Sequence, residues 1–363
     1  MKKHILGLAL LLACAQGAYA ENPLEKLGNA VANEANQAVA AVEQKINNTL
    51  GINQEAMKVV PESADFVFKI NLSKIMAMPN TVKQIEENFA KNPEQKKTFD
   101  EIKAKTGFDV YKDLNSVVVF ASSKVAQSGM QDALAGAIFE GKFDPSKICE
   151  VIKADEKATK DVEVTVVDGY NTILPKDKKE GCGVFLNNNL LVTGSMPGAD
   201  AVKSVFAGKA KSVESRKDFF SVISKLDSKA TVTGAGIFPE EFKANMKQNP
   251  QAEALSALNY FFFDLSNDDN LVLNFNAEVD DEKNVEKVET SINGFVAMVK
   301  MLAAQSPEAS QIVNALAVSK EGKTVKLNLN VPAEQMKKIM EALEAKAKQM
   351  QNNGGADANA PRE

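Results

Sequence analysis

The stretch Asn259-Tyr260-Phe261-Phe262-Phe263-Asp264-Leu265, Ser266-Asn267-Asp268-Asp269, Asn270-Leu271-Val272-Leu273-Asn274-Phe275-Asn276-Ala277-Glu278 ends at Asp280-Asp281, and its order decides the fold. Two runs of strand-forming residues flank a four-residue polar turn, which reads as a β-hairpin. The two aspartates cap a helix whose Val285, Val288, Ile292, Phe295, Val299 and Leu302 step by threes and fours. That spacing lines one helical face with apolar groups and predicts a long amphipathic helix.

The same order is found upstream. Leu134-Ala135-Gly136-Ala137-Ile138-Phe139-Glu140-Gly141-Lys142-Phe143-Asp144 follows the pattern of Leu271 to Asp280, and Pro145 then opens a helix carrying Ile148 and Val151. Asn189 to Phe206, a strand, a proline and a helix, parallels Lys323 to Met340. The opening strands correspond too, Ala64 to Ile70 with Ala230 to Ile237. Shared element order at low identity predicts an internal duplication. Each copy reads as β-α-β-β-α-β, the ferredoxin-like order with an extra hairpin. The expected class is therefore α+β: two related copies of a mostly antiparallel sheet, with helices on one face of each. The boundaries fall at 61–225 for the first copy and 226–346 for the second. A helical segment precedes them at 21–60, where Leu24, Leu27, Val31, Ala35, Ala38, Val42 and Ile46 make one weakly apolar stripe suited to docking or an oligomer seam. Residues 347–363 hold a helix end and a tail without apolar periodicity, expected to be disordered.

Three further stretches carry a resemblance: Asn71-Leu72 closing the first strand, Thr106-Gly107-Phe108-Asp109 leading to Asp113-Leu114 and a valine strand, and Gly141-Lys142-Phe143-Asp144 before a helix. They resemble a group of uncharacterised exported bacterial proteins, over roughly residues 60 to 345. The resemblance implies duplicated α+β units and carries over no catalytic residue.

The first twenty residues read as an export signal. Lys2, Lys3 and His4 form a positive start, Ile5 to Ala13 an apolar core, and Ala18-Tyr19-Ala20 a cleavage pattern that places the mature start at Glu21. The core is shorter than the roughly 20 apolar residues of a permanent span. Leu11-Leu12-Ala13-Cys14 offers the alternative of lipid attachment at Cys14. Export is to the periplasm or the medium, or to a lipid-anchored position on the envelope.

Removal of residues 1–20 strips the chain of chemistry. The single histidine is His4, and tryptophan is absent throughout. The formal charge is −5, with 43 Lys and Arg against 48 Asp and Glu. Loss of Lys2 and Lys3 takes it to −7. An acidic chain without a basic stripe is a poor partner for nucleic acid or anionic membranes. Without histidine, Ser-His-Asp, Cys-His and HExxH sites are excluded. Phosphate-binding glycine loops are missing, and no cofactor or metal is expected. Cys149 and Cys182, an even pair in an oxidising compartment, read as one disulfide. Ser73-Lys74, Ser123-Lys124 and Ser146-Lys147 read as ordinary surface, because adjacent side chains point apart. Asp264, Asp268 and Asp269 read as a solvated turn in preference to a calcium site, since they lack EF-hand spacing. The methionines, Met76, Met78, Met298, Met301, Met336, Met340 and Met350, read as core packing.

The expectation for function is an exported, non-catalytic binding or scaffolding protein that meets a protein or small-molecule partner through a sheet face or its terminal helices, and forms homo-oligomers through the latter. The alternatives are a carboxylate-dependent hydrolase of the cell envelope with its site between the copies, and a lipid-anchored envelope protein.

Overall fold

The computed structural model describes residues 55–124, 133–156, 158–176, 181–250, 252–267, 270–304, 306–336 and 338. The export signal with Cys14, Ala20 and Glu21, the 21–54 segment, Asp268, Asp269 and the 347–363 tail lie outside them. The chain is α+β, with every strand pairing antiparallel. It divides into two units, 1–225 with 231–236, and 226–230 with 237–363.

In the first unit the strands are β1 (Phe66–Asn71), β2 (Leu114–Ala121), β3 (Ala135–Gly141), β4 (Val162–Val167), β5 (Tyr170–Pro175), β6 (Cys182–Phe185), β7 (Leu190–Gly194) and β8 (Val232–Ile237). Their order across the sheet is β8-β1-β2-β3-β7-β6-β5-β4. The helices are α1 (Glu55–Lys58), α2 (Leu72–Ala77), α3 (Pro79–Lys91), α4 (Pro93–Thr106), α5 (Val110–Asp113), α6 (Pro145–Ala154), α7 (Ala158–Asp161), α8 (Met196–Phe206) and α9 (Lys217–Ile223). Local chemistry sets their ends. Gly107, at φ 78, ends α4 in the left-handed conformation that favours glycine. Asp144 accepts the Lys147 N–H and Pro145 fills the first turn of α6.

The central strands of this sheet are apolar on both faces. Register places Val117, Val119, Ala137, Phe139, Phe185, Leu191 and Ile173 on one face, where Ile148, Cys149 and Ile152 of α6 join them in a buried cluster. Val118, Phe120, Ile138, Val184 and Val192 point the other way and are also buried. That second face carries α8, which lies on β3, β6 and β7 through its buried Ala199 and Val202. Helices on one face were expected; here they cover both. The physical reason is the unbroken apolar run of β2, β3 and β7, which leaves no polar face to present to water.

The second unit is smaller. Its strands β9 (Leu258–Asn267), β10 (Asn270–Val279), β11 (Leu316–Glu321) and β12 (Thr324–Pro332) lie in the order β11-β12-β10-β9. Its helices are α10 (Glu240–Gln248), α11 (Val285–Ala303) and α12 (Pro307–Asn314). Leu258, Ala277, Val279 and Val325 form a core with Val285 and Val288 of α11, joined by Phe275, Val318 and Ile292. The N-terminal half of α11 therefore follows the expected stripe. Its C-terminal half does not: Val296 and Ala303 are buried, whereas Phe295 and Leu302 are exposed.

Candidate functional site

The strands of the second sheet alternate, so the face away from α11 collects their other side chains. On β10 these are Asn270, Val272, Asn274, Asn276 and Glu278; on β12 they are Lys326, Asn328 and Asn330; on β9, Tyr260, Phe262, Asp264 and Ser266. Asparagine is a poor strand former, and five of them on one face of two paired strands need a cause beyond propensity.

Register brings the amides together. Asn274 lies directly opposite Asn328, and the Asn328 Nδ2 donates to Asn274 Oδ1 at 2.9 Å. One such bond uses one carbonyl and one N–H, so Asn274 keeps its NH2 group and Asn328 its carbonyl for another partner. Asn276 sits between Phe262 on β9 and Lys326 on β12. Only 8% of its surface is exposed, and its amide, which makes no hydrogen bond among the described residues, still reaches solvent. Lys326 at its flank is ion-paired with Glu321.

The edges of this face are occupied by structural contacts. Asp264 accepts the Asp227 N–H at 2.8 Å. Burial pushes its carboxyl above the ordinary carboxylate range, against the pull of that N–H. Asp264 is thereby committed to holding the 226–230 turn; Asp268 and Asp269, read with it as a solvated turn, lie outside the described residues. Among the described residues, no three His, Cys, Asp or Glu side chains gather as a metal site.

The first unit holds one other polar cluster. Glu140 on β3 is 7% exposed and accepts the Ser116 Oγ hydrogen at 2.8 Å. Lys69 on β1 faces the same side, and the Glu55 N–H donates to the carboxylate. Desolvation raises the Glu140 pKa, opposed first by the Ser116 bond and then by Lys69. Desolvation likewise lowers that of Lys69, with Glu140 opposing. This carboxylate is spent on a hydroxyl, a backbone N–H and a neighbouring ammonium, the arrangement of a buried polar group kept satisfied.

Cys149 and Cys182 are two free, buried thiols, which corrects the expected disulfide. Cys149 packs on the α6 face with Phe139, Phe185 and Leu191. Cys182 lies three residues before Phe185 on the same strand and so points to the opposite face, beside Asp200 and Lys203 of α8. The sheet itself separates the sulfurs. Burial pushes the Cys182 thiol up to about 11 and raises Cys149 as well, which makes both unreactive.

The serine–lysine pairs are dispersed. Ser73 donates to the Asn71 side chain at 2.9 Å, and Ser123 to Asp65 at 2.8 Å. Of the methionines, Met76 is core, whereas Met298 and Met301 are exposed. No helix among the described residues is long and apolar enough to cross a membrane.

The amide face was missed in the sequence reading. Its signal was present as Asn274-Phe275-Asn276 and Asn328-Leu329-Asn330, asparagine at alternate positions in two apolar runs. The chain matches no protein-family model, no curated protein and no solved structure.

Proposed function

We propose that this is an exported, non-catalytic binding protein whose site is the amide face of the second sheet. The observation that carries the reading is Asn276, a nine-tenths buried residue whose amide still reaches solvent and has no hydrogen-bond partner among the described residues, set beside a pair of amides that keeps one donor group and one acceptor free. A flat array of amide donors and acceptors complements a ligand with the same groups: a glycan bearing hydroxyl and N-acetyl substituents. Half-buried Tyr260 adds aromatic surface at the β9 side, whereas Phe262 beside it is buried. The test is a titration of the protein with N-acetylchitotetraose, followed through the side-chain NH2 resonances of Asn274, Asn276 and Asn328. Saturable shifts confined to these amides support the reading; unchanged resonances at millimolar ligand exclude it.

The alternative of a carboxylate-dependent hydrolase is less well supported, because Glu140, the one carboxylate-bearing side chain buried among the described residues, is engaged by Ser116 and Glu55. Export through residues 1–20, with cleavage between Ala20 and Glu21, belongs to the same proposal. Lipid attachment at Cys14 is its variant, and the mass of the mature N-terminus distinguishes the two.

The proposal includes an origin by duplication. In its support, β2-β3-β7-β6 and β9-β10-β12-β11 have the same pairing order, and in each the second strand leads through an aspartate into a helix. The copies share a β-α-β-β-α-β-β order along the chain, to which the first adds the β4–β5 hairpin. The ferredoxin-like likeness is one of element order, since β1 pairs directly with β2, where a split β-α-β unit sets a third strand between them.

A further inference from the structure

The outer surface of α11 carries an apolar patch with no role in the second unit's core. Phe295 is 61% exposed, Met298 45%, Met301 70% and Leu302 60%. These four lie on one side of the helix, three and four residues apart, and Gly294 is among them. Between Thr290 and Ala304 the only charged side chain is Lys300, whose Nζ donates to the Leu316 carbonyl.

Gly294 supplies an independent observation. Glycine inside a helix costs about 1 kcal/mol relative to alanine. A Cβ built there meets nothing within 4 Å, so no contact among the described residues requires glycine. A glycine that costs stability, in the middle of an exposed apolar stripe, is explained by a partner's close approach.

We infer that this face of α11 is the interface of a homodimer, packed against α11 of a second copy around a two-fold axis near Met298. The stripe is self-complementary, because its C-terminal half sets no like charges against each other when two copies run antiparallel. Its size agrees. The four side chains offer roughly 400–500 Å² of apolar surface per copy, and pairing two buries about 1,000 Å², where specific interfaces begin. A lipid surface is the weaker occupant, since the chain is acidic and the one basic side chain in this stretch of the helix, Lys300, is engaged by the Leu316 carbonyl.

The experiment is sedimentation equilibrium of the mature protein and of Gly294→Leu and Met301→Lys, with thermal unfolding of each. Wild type is expected at twice the monomer mass at tens of micromolar. Both variants are expected to weaken the dimer at least tenfold. Gly294→Leu enters open space in the monomer and its far-UV spectrum stays unchanged, so loss of the dimer cannot be laid to misfolding. A wild-type monomer at all concentrations, or a dimer unaffected by both substitutions, overturns the inference. Glycan binding at the amide face is read separately, and its failure leaves this result standing.

Discussion

The strands of the two units solve the same packing problem in different ways. In the first, β2, β3 and β7 present apolar side chains to both faces, and helices α6 and α8 bury one face each. In the second, β10 and β12 present Leu, Phe, Ala and Val to α11 and asparagine to the other side. A strand that is apolar throughout must be covered twice, and its residues are tied to packing. A strand that alternates needs only one cover, which leaves the second face free to be selected for something other than stability. The proposed binding face belongs to the second unit; the first, in that proposal, is framework.

The largest effect should come from making the first sheet resemble the second. Val192→Asn places an amide on a fully buried position under α8, and urea unfolding should show a loss of about 3–5 kcal/mol. A loss below about 1 kcal/mol would mean that the two faces do not differ as described.

Glu140 sharpens the comparison, as it is the polar group the first sheet does bury. Its folded pKa lies above its ordinary 4.5, so in the window just above that value the native state holds more protons than the unfolded chain. Stability from this group is therefore fully present at lower pH and is lost as pH rises through its folded pKa. Glu140→Gln keeps an acceptor for Ser116 and should flatten that decline in a pH series of thermal midpoints. An unchanged slope would assign the decline to other groups.

Cys149 and Cys182 test whether the sheet separates its two faces. Reductant should leave the thermal midpoint unchanged, and both thiols should react with a thiol reagent only on unfolding. Oxidised, unreactive sulfurs in the unfolded, unreduced protein would restore the disulfide and refute the assigned register of β6.

Much of the fold was legible. The hairpin from Asn259 to Glu278, the aspartate caps, the Gly107 helix end and the antiparallel α+β class all follow from periodicity and capping chemistry that act over a few residues. What was not legible depends on which side of a sheet a helix chooses. The Cys149–Cys182 pairing failed because sequence does not show that α6 and α8 take opposite faces. The α11 stripe was read as one apolar face along its whole length. Only Val285, Val288 and Ile292 meet the sheet as read; beyond them Val296 and Ala303 turn inward and Phe295 and Leu302 outward. The amide face was hidden for a related reason. Asn274, Asn276, Asn328 and Asn330 are ordinary polar alternation until pairing sets them side by side.

The measurement that bears most directly on this account is a paired one on Asn276→Val, unfolding free energy together with affinity for N-acetylchitotetraose. If Asn276 is kept for binding at a cost to the sheet, valine should raise stability by about 1 kcal/mol and weaken binding at least tenfold. A variant that is less stable than the wild type, or that binds the glycan equally well, would show that the amide serves the fold and that the open face is only a solvated surface.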